Sequence, residues 1–196
     1  MEVVRFALKS RHRFRYEPGH VPLSQTVSRA IFSGPENVHA YIIGEHGDSQ
    51  VPVLSTAQIA GIPLDEFCQA AGLGYEIGVL CAIANETRSA GSEIQRAKGA
   101  TYYGIGTALS RIAKAILRDE HAVLTVSSLA PQSMGLGEVY LSLPSVINGG
   151  GVVRVLPTPL NEDETNAIRA SAGTLRKHAA SLNILEHTTR GEPTWK

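Results

Sequence analysis

The sequence holds few cysteines, no long apolar run and no excess of charge of either sign. Cys68 and Cys81 are the two cysteines among 196 residues, and their spacing is not that of a redox or metal-binding pair. No apolar run approaches the roughly 20 residues that a membrane-spanning helix needs. Lys plus Arg and Asp plus Glu are balanced at 18 each, so net charge indicates neither nucleic-acid nor membrane-surface binding. The composition predicts reduced, buried thiols, no metal site and, from the reduced thiols, a cytoplasmic location.

Motifs for phosphate binding and for hydrolysis are missing as well. Gly104-Ile-Gly106 begins like the dinucleotide fingerprint G-x-G-x-x-G, but it lacks the third glycine and falls inside a predicted helix. No Walker lysine pattern occurs. His46, Asp48 and Ser49 lie too close in sequence to converge as a catalytic triad, and no G-x-S-x-G elbow supports one. The sequence therefore indicates neither a nucleotide-binding domain nor a serine hydrolase.

The remaining pattern is that of a globular α+β domain with antiparallel strands backed by long helices. Hydrophobic residues make up 43% of the chain and charged residues 18%, which is typical of a folded protein. Alternation and short apolar runs predict strands at Val38–Ile43, Ala122–Ala130, Glu138–Leu143 and Val152–Leu156. Helical periodicity predicts an interrupted helix over Leu64–Ala97, a helix over Thr101–Arg118 and a helix that begins at Asn161.

Three further sequence features support these predicted helices and strands. Ile105, Leu109, Ile112 and Ile116 form one apolar stripe, as expected of a helix face that packs on a core. Asn161 with a glutamate three residues later predicts a capping box. Two prolines after Leu156 indicate that the last strand lies at a sheet edge.

The most informative segment is Gly44-Glu-His-Gly-Asp-Ser-Gln50, directly after the first predicted strand. Glycines on both sides of His46 remove Cβ crowding and allow unusual backbone angles, so a substrate can approach the ring closely. Histidine exchanges protons near neutral pH, and Glu45 and Asp48 are near enough in sequence to orient it. The alternative interpretation is a turn histidine that bonds a neighbouring carbonyl.

The whole stretch from Asn37 to Val53 resembles the active-site strand and loop of the L-lactate dehydrogenases. Lys98-Gly-Ala-Thr-Tyr-Tyr-Gly-Ile105 is similar to the start of the long substrate-domain helix of that family. The resemblance extends over about Asn37 to Ile184 and implies the C-terminal catalytic and substrate domain. It also implies NAD as cofactor, bound mainly by a domain whose glycine fingerprint this chain lacks.

The resemblance assigns roles to individual residues. It implies that His46 is the acid/base, that Asp48 supports the loop, and that Thr101 lines the substrate pocket beside the methyl group. Ile105 would form an apolar wall against the nicotinamide ring. The alternatives are a helix N-cap role for Thr101 and ordinary core packing for Ile105.

Residues before and within the first strand carry further implied roles. Arg13 resembles the arginine that grips the substrate carboxylate, although Ser10 stands where the family has an aspartate. His39 matches a histidine that binds fructose 1,6-bisphosphate at a subunit interface in allosteric members, with Arg15 as its partner. For His39 the alternative is a strand histidine that faces solvent.

The sequence therefore predicts an atypical basic segment at 1–35, a lactate/malate dehydrogenase C-terminal catalytic domain at 36–185 and a polar tail at 186–196. The implied activity is interconversion of pyruvate and L-lactate with NADH and NAD, as in fermentation and glycolysis, by a homo-oligomer that is a tetramer in the family. The chain alone is expected to be inactive. Glu45 and Ser49 favour lactate over malate, and a malate dehydrogenase-like enzyme or a non-catalytic oligomerisation module remain the alternatives.

Overall fold

The computed structural model describes residues 37–73, 77–99 and 103–182, together with Val27 and Gly34. Within these residues the chain forms two three-stranded antiparallel sheets and four α-helices. No helix in the described part of the chain is long and apolar enough to cross a membrane. The expected α+β class is confirmed, whereas the tail at 186–196 and almost all of the segment at 1–35 lie outside the described residues.

The first sheet has the order β1-β2-β3, with β1 at Val38–Ile43, β2 at Val51–Ile59 and β3 at Ile62–Pro63. Strand β1 has the bounds that its apolar run predicted, but β2 and β3 were not foreseen. Two helices follow this sheet, α1 at Leu64–Ala70 and α2 at Ile77–Lys98, so the predicted interruption of the helical segment is confirmed. A core cluster under the sheet joins strand and helix residues: Val27, Val38, Ala57, Ile59, Leu64, Cys68 and Ile83.

Helix α2 buries a polar residue beside an apolar one. Ile83 and Thr87, one turn apart, are both buried, and Ala84 is partly buried. Thr87 is accommodated because its hydroxyl donates to the Ile83 carbonyl at 2.8 Å, which satisfies the polar group within the helix.

The second sheet has the order β4-β5-β6, with β4 at Ala122–Leu129, β5 at Tyr140–Asn148 and β6 at Gly151–Val155. The predicted edge position of the last strand is confirmed. Val139, Leu141 and Leu143 are buried as their alternation predicted. However, β5 continues through Pro144 to Asn148. The Pro144 carbonyl still accepts a hydrogen bond from the Leu156 amide at 2.8 Å, so a central strand tolerates the missing N–H there.

Helix α3 spans Tyr103–Leu117, and its apolar stripe is only partly buried. Ile112 and Ile116 are half-buried beside the buried Ala115, but Ile105 is 54% exposed and Leu109 is 62% exposed. The described part of the chain therefore covers only the C-terminal half of the stripe. The helix packs on β5, which leaves its N-terminal half open.

Helix α4 spans Glu162–Ser181 and begins with the predicted capping box. The Asn161 side chain accepts from the Glu164 amide at 2.8 Å, and the Glu164 carboxylate accepts from the Asn161 amide at 3.1 Å. Ile168, Ser171 and Ala172 on this helix are buried. They face the main core cluster, whose other buried members come from both sheets and the β4–β5 connection: Ile43, Val51, Val53, Ala130, Leu136, Val139, Leu141 and Leu143.

Candidate active site

His46 lies on the loop between β1 and β2, where the two sheets and α4 meet. Ile43 and Val51 pair across the base of the loop as the last and first residues of their strands. Within the loop the Gln50 amide donates to the Gly47 carbonyl at 3.1 Å, which closes a tight turn just after His46. The histidine and Asp48 are exposed, whereas Gly44 and Gln50 at the two ends are buried. The loop thus presents an accessible imidazole on a base that is fixed at both ends.

Gly44 joins the two sheets at the start of this loop. Its amide donates to the Ser142 carbonyl and its carbonyl accepts from the Ser142 amide, both at 2.9 Å. Its φ is +93°, a left-handed conformation that side chains with a Cβ rarely adopt. A Cβ at this position would also lie 2.7 Å from the Ser171 hydroxyl oxygen. Glycine is therefore required here both by the backbone conformation and by the close approach of α4.

A group of polar side chains holds the residues on either side of His46. The Glu45 amide donates to Ser171 Oγ at 2.8 Å, and Ser49 Oγ lies 3.3 Å from the same oxygen. Ser49 also donates to the Glu45 carboxylate. That carboxylate folds over Gly47, where an added Cβ would lie 2.6 Å from Glu45 Oε1. The Glu45 side chain thus braces the loop backbone. Gly44 leaves room for Ser171, and Gly47 leaves room for the Glu45 carboxylate.

The far end of the loop is held by α2. The Gln50 side-chain amide lies 3.4 Å from the carbonyls of Thr87 and Arg88, and Arg88 Nε donates to the Gln50 carbonyl at 3.2 Å. Gln50 is buried, so these contacts satisfy groups that water cannot reach. Elements on three sides therefore support the loop: β5 through Gly44, α4 through Glu45 and Ser49, and α2 through Gln50.

The other predicted site residues fall in separate places. His39 is exposed on β1 opposite Gln58, near the end of the strand away from His46. Ile105 is exposed on α3. Thr101, Arg13 and Arg15 lie outside the described residues.

Neither a metal site nor a reactive thiol is evident in the part of the chain that the structure describes. Those residues contain no group of three or more His, Cys, Asp and Glu side chains that could hold a metal ion. Cys68 is buried and unpaired with another cysteine, and burial raises the pKa of its thiol, with a further contribution from the nearby Asp65 carboxylate. Its thiolate is therefore disfavoured, as expected of a structural cysteine.

Ser171 and Arg88 are the supporting residues that sequence reasoning missed. Ser171 stands 126 positions after Glu45, and Arg88 stands 38 positions after Gln50. Nothing local marks either as part of a site, because each sits in an ordinary helical segment. Only the packing of α2 and α4 on the loop brings them there.

This arrangement belongs to a known domain class. Residues 23–183 match the family model described as the lactate/malate dehydrogenase, alpha/beta C-terminal domain. The match spans most of the chain, so the chain belongs to the lactate/malate dehydrogenase family.

Individual relatives are L-lactate dehydrogenases. The chain is 49% identical over 145 residues to that of Nitratidesulfovibrio vulgaris (strain DP4), which corresponds to 74% of this chain and 47% of the relative. It is 44% identical over 158 residues to that of Thermus aquaticus, with 81% of this chain and 51% of the relative covered. The chain thus spans about half the length of the curated relatives that it matches.

Solved structures of lactate dehydrogenases also match most of this chain and about half of their own length. A lactate dehydrogenase enzyme from a Medee basin deep-sea metagenome library superposes with a TM-score of 0.74 at 36% identity, over 82% of this chain and 51% of that one. The lactate dehydrogenase from Cryptosporidium parvum, solved with lactic acid and nicotinamide adenine dinucleotide, gives a TM-score of 0.75 at 25% identity, with 82% and 51% covered.

Proposed function

We propose that this chain is the catalytic and substrate-binding half of an NAD-dependent L-lactate dehydrogenase that interconverts pyruvate and L-lactate. The observation that carries the proposal is the placement of His46, an exposed imidazole on a loop whose backbone is bonded to β5, α4 and α2. A general acid must be accessible to substrate and yet held in one position, and this loop meets both conditions.

In the proposed reaction His46 moves one proton. The protonated ring donates to the carbonyl oxygen of pyruvate, which becomes the hydroxyl of lactate, and in the reverse direction the neutral ring accepts that proton. Histidine suits both directions, because its ordinary pKa lies close to neutral pH. NADH, when bound, supplies the hydride that reduces the carbonyl carbon. Asp48 and Glu45 support the loop, Thr101 lines the pocket, and Arg13 is the proposed contact for the substrate carboxylate.

The exposed part of α3 fits a cofactor and a partner domain. Ile105 and Leu109 are more than half exposed although they continue the stripe of Ile112 and Ile116. Apolar side chains aligned in this way are normally covered. A nicotinamide ring on Ile105 and a dinucleotide-binding domain over the rest of the stripe would cover them. A chain that spans about half the length of its relatives is consistent with such a partner half.

Membership of the lactate/malate dehydrogenase family suggests further proposals on the domain bounds, location, assembly and effector binding. We assign residues 36–185 to the catalytic domain, and expect a cytoplasmic homo-oligomer that is inactive without its dinucleotide-binding half. His39 is exposed, as an effector ligand needs to be, and we assign it with Arg15 to a fructose 1,6-bisphosphate site.

The test is a fusion of residues 37–184 to the NAD-binding half of the Thermus aquaticus relative, in which that enzyme's own segment replaces residues 1–36, including Arg13 and Arg15. NADH absorbance is then followed with pyruvate or oxaloacetate. The fusion should reduce pyruvate faster than oxaloacetate, and the reverse preference would favour a malate-type enzyme.

His46→Asn should lower kcat/KM by about a hundredfold or more while NADH affinity is kept, because asparagine has a similar size but cannot exchange a proton. His39→Asn is the control and should change only activation by the bisphosphorylated sugar. Equal losses from both substitutions, or a folded fusion without activity, would refute the assignment and favour an oligomerisation module.

A further inference from the structure

Ser171 on α4 is hydrogen-bonded to the backbone next to His46. It is fully buried, between Ile168 and Ala172 of the core helix face. A serine inside a helix usually faces solvent or bonds to its own helix. The described contacts of Ser171 Oγ are instead with Glu45 and Ser49, the residues that flank the His46 turn.

Glu45, Ser49 and Ser171 form a closed ring of hydrogen bonds beside the turn, to which Glu45 contributes both its backbone amide and its carboxylate. The Glu45 amide donates to Ser171 Oγ at 2.8 Å, and Ser49 donates to the Glu45 carboxylate. A hydroxyl carries one proton. The Ser49 hydroxyl therefore donates either to the Glu45 carboxylate or across the 3.3 Å contact to Ser171 Oγ. Ser171 Oγ thus accepts from the backbone amide next to His46 and contacts the serine that bonds the Glu45 carboxylate.

Gly44 makes this contact possible. Because it has no Cβ, the helix can come close enough for Ser171 Oγ to reach the next amide in the chain. The bonded amide belongs to the residue directly before His46. The Ser171 hydroxyl thus connects the core face of α4 to the backbone next to the proposed proton donor, in addition to the contacts that β5 and α2 make with the loop.

We propose that Ser171 is a positioning residue for His46, which holds the loop in the geometry needed for proton transfer. The proposal rests on the proposed function for its catalytic meaning, but the hydrogen bond itself is testable without any activity. Ser171 does not contact substrate or cofactor in this role. It acts through the Glu45 amide and through Ser49.

The first experiment measures amide hydrogen exchange by NMR in the 196-residue chain. Ser171→Ala should speed exchange of the Glu45 amide by about tenfold or more, because that amide loses its described acceptor. Exchange at Val53, which lies in the core of β2, should not change. Ser181→Ala is the matched control, since that exposed hydroxyl on the same helix contacts the His178 carbonyl and should leave Glu45 unchanged. Unchanged exchange at Glu45 in Ser171→Ala would overturn the proposal.

A second variant distinguishes loss of the hydrogen bond at Ser171 from a general loss of stability. Ser171→Cys fills nearly the same space with a much weaker acceptor, and it should raise Glu45 exchange while the urea midpoint stays near that of the parent. If Glu45 and Val53 exchange faster together in both variants, Ser171 has a merely structural role and the positioning proposal fails.

The fusion enzyme separates this proposal from the proposed function. Ser171→Ala should lower kcat by roughly ten- to a hundredfold, as expected for a misplaced catalytic group, while the KM for NADH is unchanged. An unchanged kcat in a variant with faster Glu45 exchange would show that the bond exists but does not position the acid. A parent fusion that never reduces pyruvate overturns the proposed function and with it the catalytic meaning of Ser171, whereas the exchange data still decide whether Ser171 holds the loop.

Discussion

The carboxylate of Glu164 binds Ser55 through both the backbone and the side chain. It accepts from the Ser55 amide at 3.0 Å and from the Ser55 hydroxyl at 2.5 Å. The same carboxylate accepts from the Leu54 amide at 3.0 Å and from the Asn161 amide at 3.1 Å. One buried side chain therefore caps α4 and fastens it to the middle of β2. The helix that carries Ser171 is fixed to the strand that follows the His46 loop.

Glu164→Ala should destabilise the domain by about 3 kcal/mol in urea unfolding followed by circular dichroism. The loss includes charge-assisted hydrogen bonds and leaves the amides of Leu54 and Ser55 without their described acceptor. Glu164→Gln keeps one acceptor oxygen and should cost less, about 1 to 2 kcal/mol. Glu162→Ala removes an exposed acid from the same helix turn and should cost under about 1 kcal/mol. Equal effects at Glu164 and Glu162 would mean that the contact with β2 contributes nothing.

Gly44→Ala should be far more costly than Gly61→Ala, although the two glycines have similar backbone conformations. Their φ angles are +93° and +85°, but nothing lies within 4 Å of a Cβ at Gly61, whereas one at Gly44 meets Ser171 Oγ at 2.7 Å. Gly61→Ala should cost about 1 kcal/mol from strain alone, and Gly44→Ala at least about 2 kcal/mol more from the added clash.

Gly44 and Ser171 together offer a double-mutant test of the clash between the added Cβ and the Ser171 hydroxyl oxygen. In a Ser171→Ala background the extra cost of Gly44→Ala should shrink, because the oxygen that the new Cβ meets is gone. A cost that is identical in both backgrounds would show that backbone strain, and not contact with α4, makes glycine necessary at this position.

The 196-residue chain should associate through the open half of α3. Ile105 and Leu109 expose apolar surface along one face, which favours self-association when no other domain covers it. Light scattering should give a mass of a dimer or larger, and Leu109→Lys should shift the chain towards monomer. Ser110→Lys adds the same charge to an adjacent exposed position outside the stripe and should have little effect. A parent chain that stays monomeric at high concentration would contradict this expectation.

Much of the fold was predictable because its signals are local. The Val38–Ile43 run, the alternation of Val139, Leu141 and Leu143, and the Asn161 capping box each depend on residues a few positions apart. Strand β2 was missed although it is central to its sheet. It contains Pro52 and is buried partly on both faces, so its sequence lacks a simple alternation. The end of β5 was misjudged because Pro144 usually marks a strand boundary, and only the bond from Leu156 shows how the sheet accommodates it.

The sequence by itself determined the family and marked His46 and the glycines near it as the candidate site, because these depend on residue identity and on spacing within one short segment. Tertiary structure decided which residues hold that segment in place. Ser171, Glu164 and Arg88 reach the loop or its strand from helices far away in sequence. It also decided that Ile105 and Leu109 stay exposed, since periodicity identifies an apolar face but not what covers it. Each of these three contacts joins residues that are distant in sequence, so it forms only when the elements pack together and no local pattern predicts it.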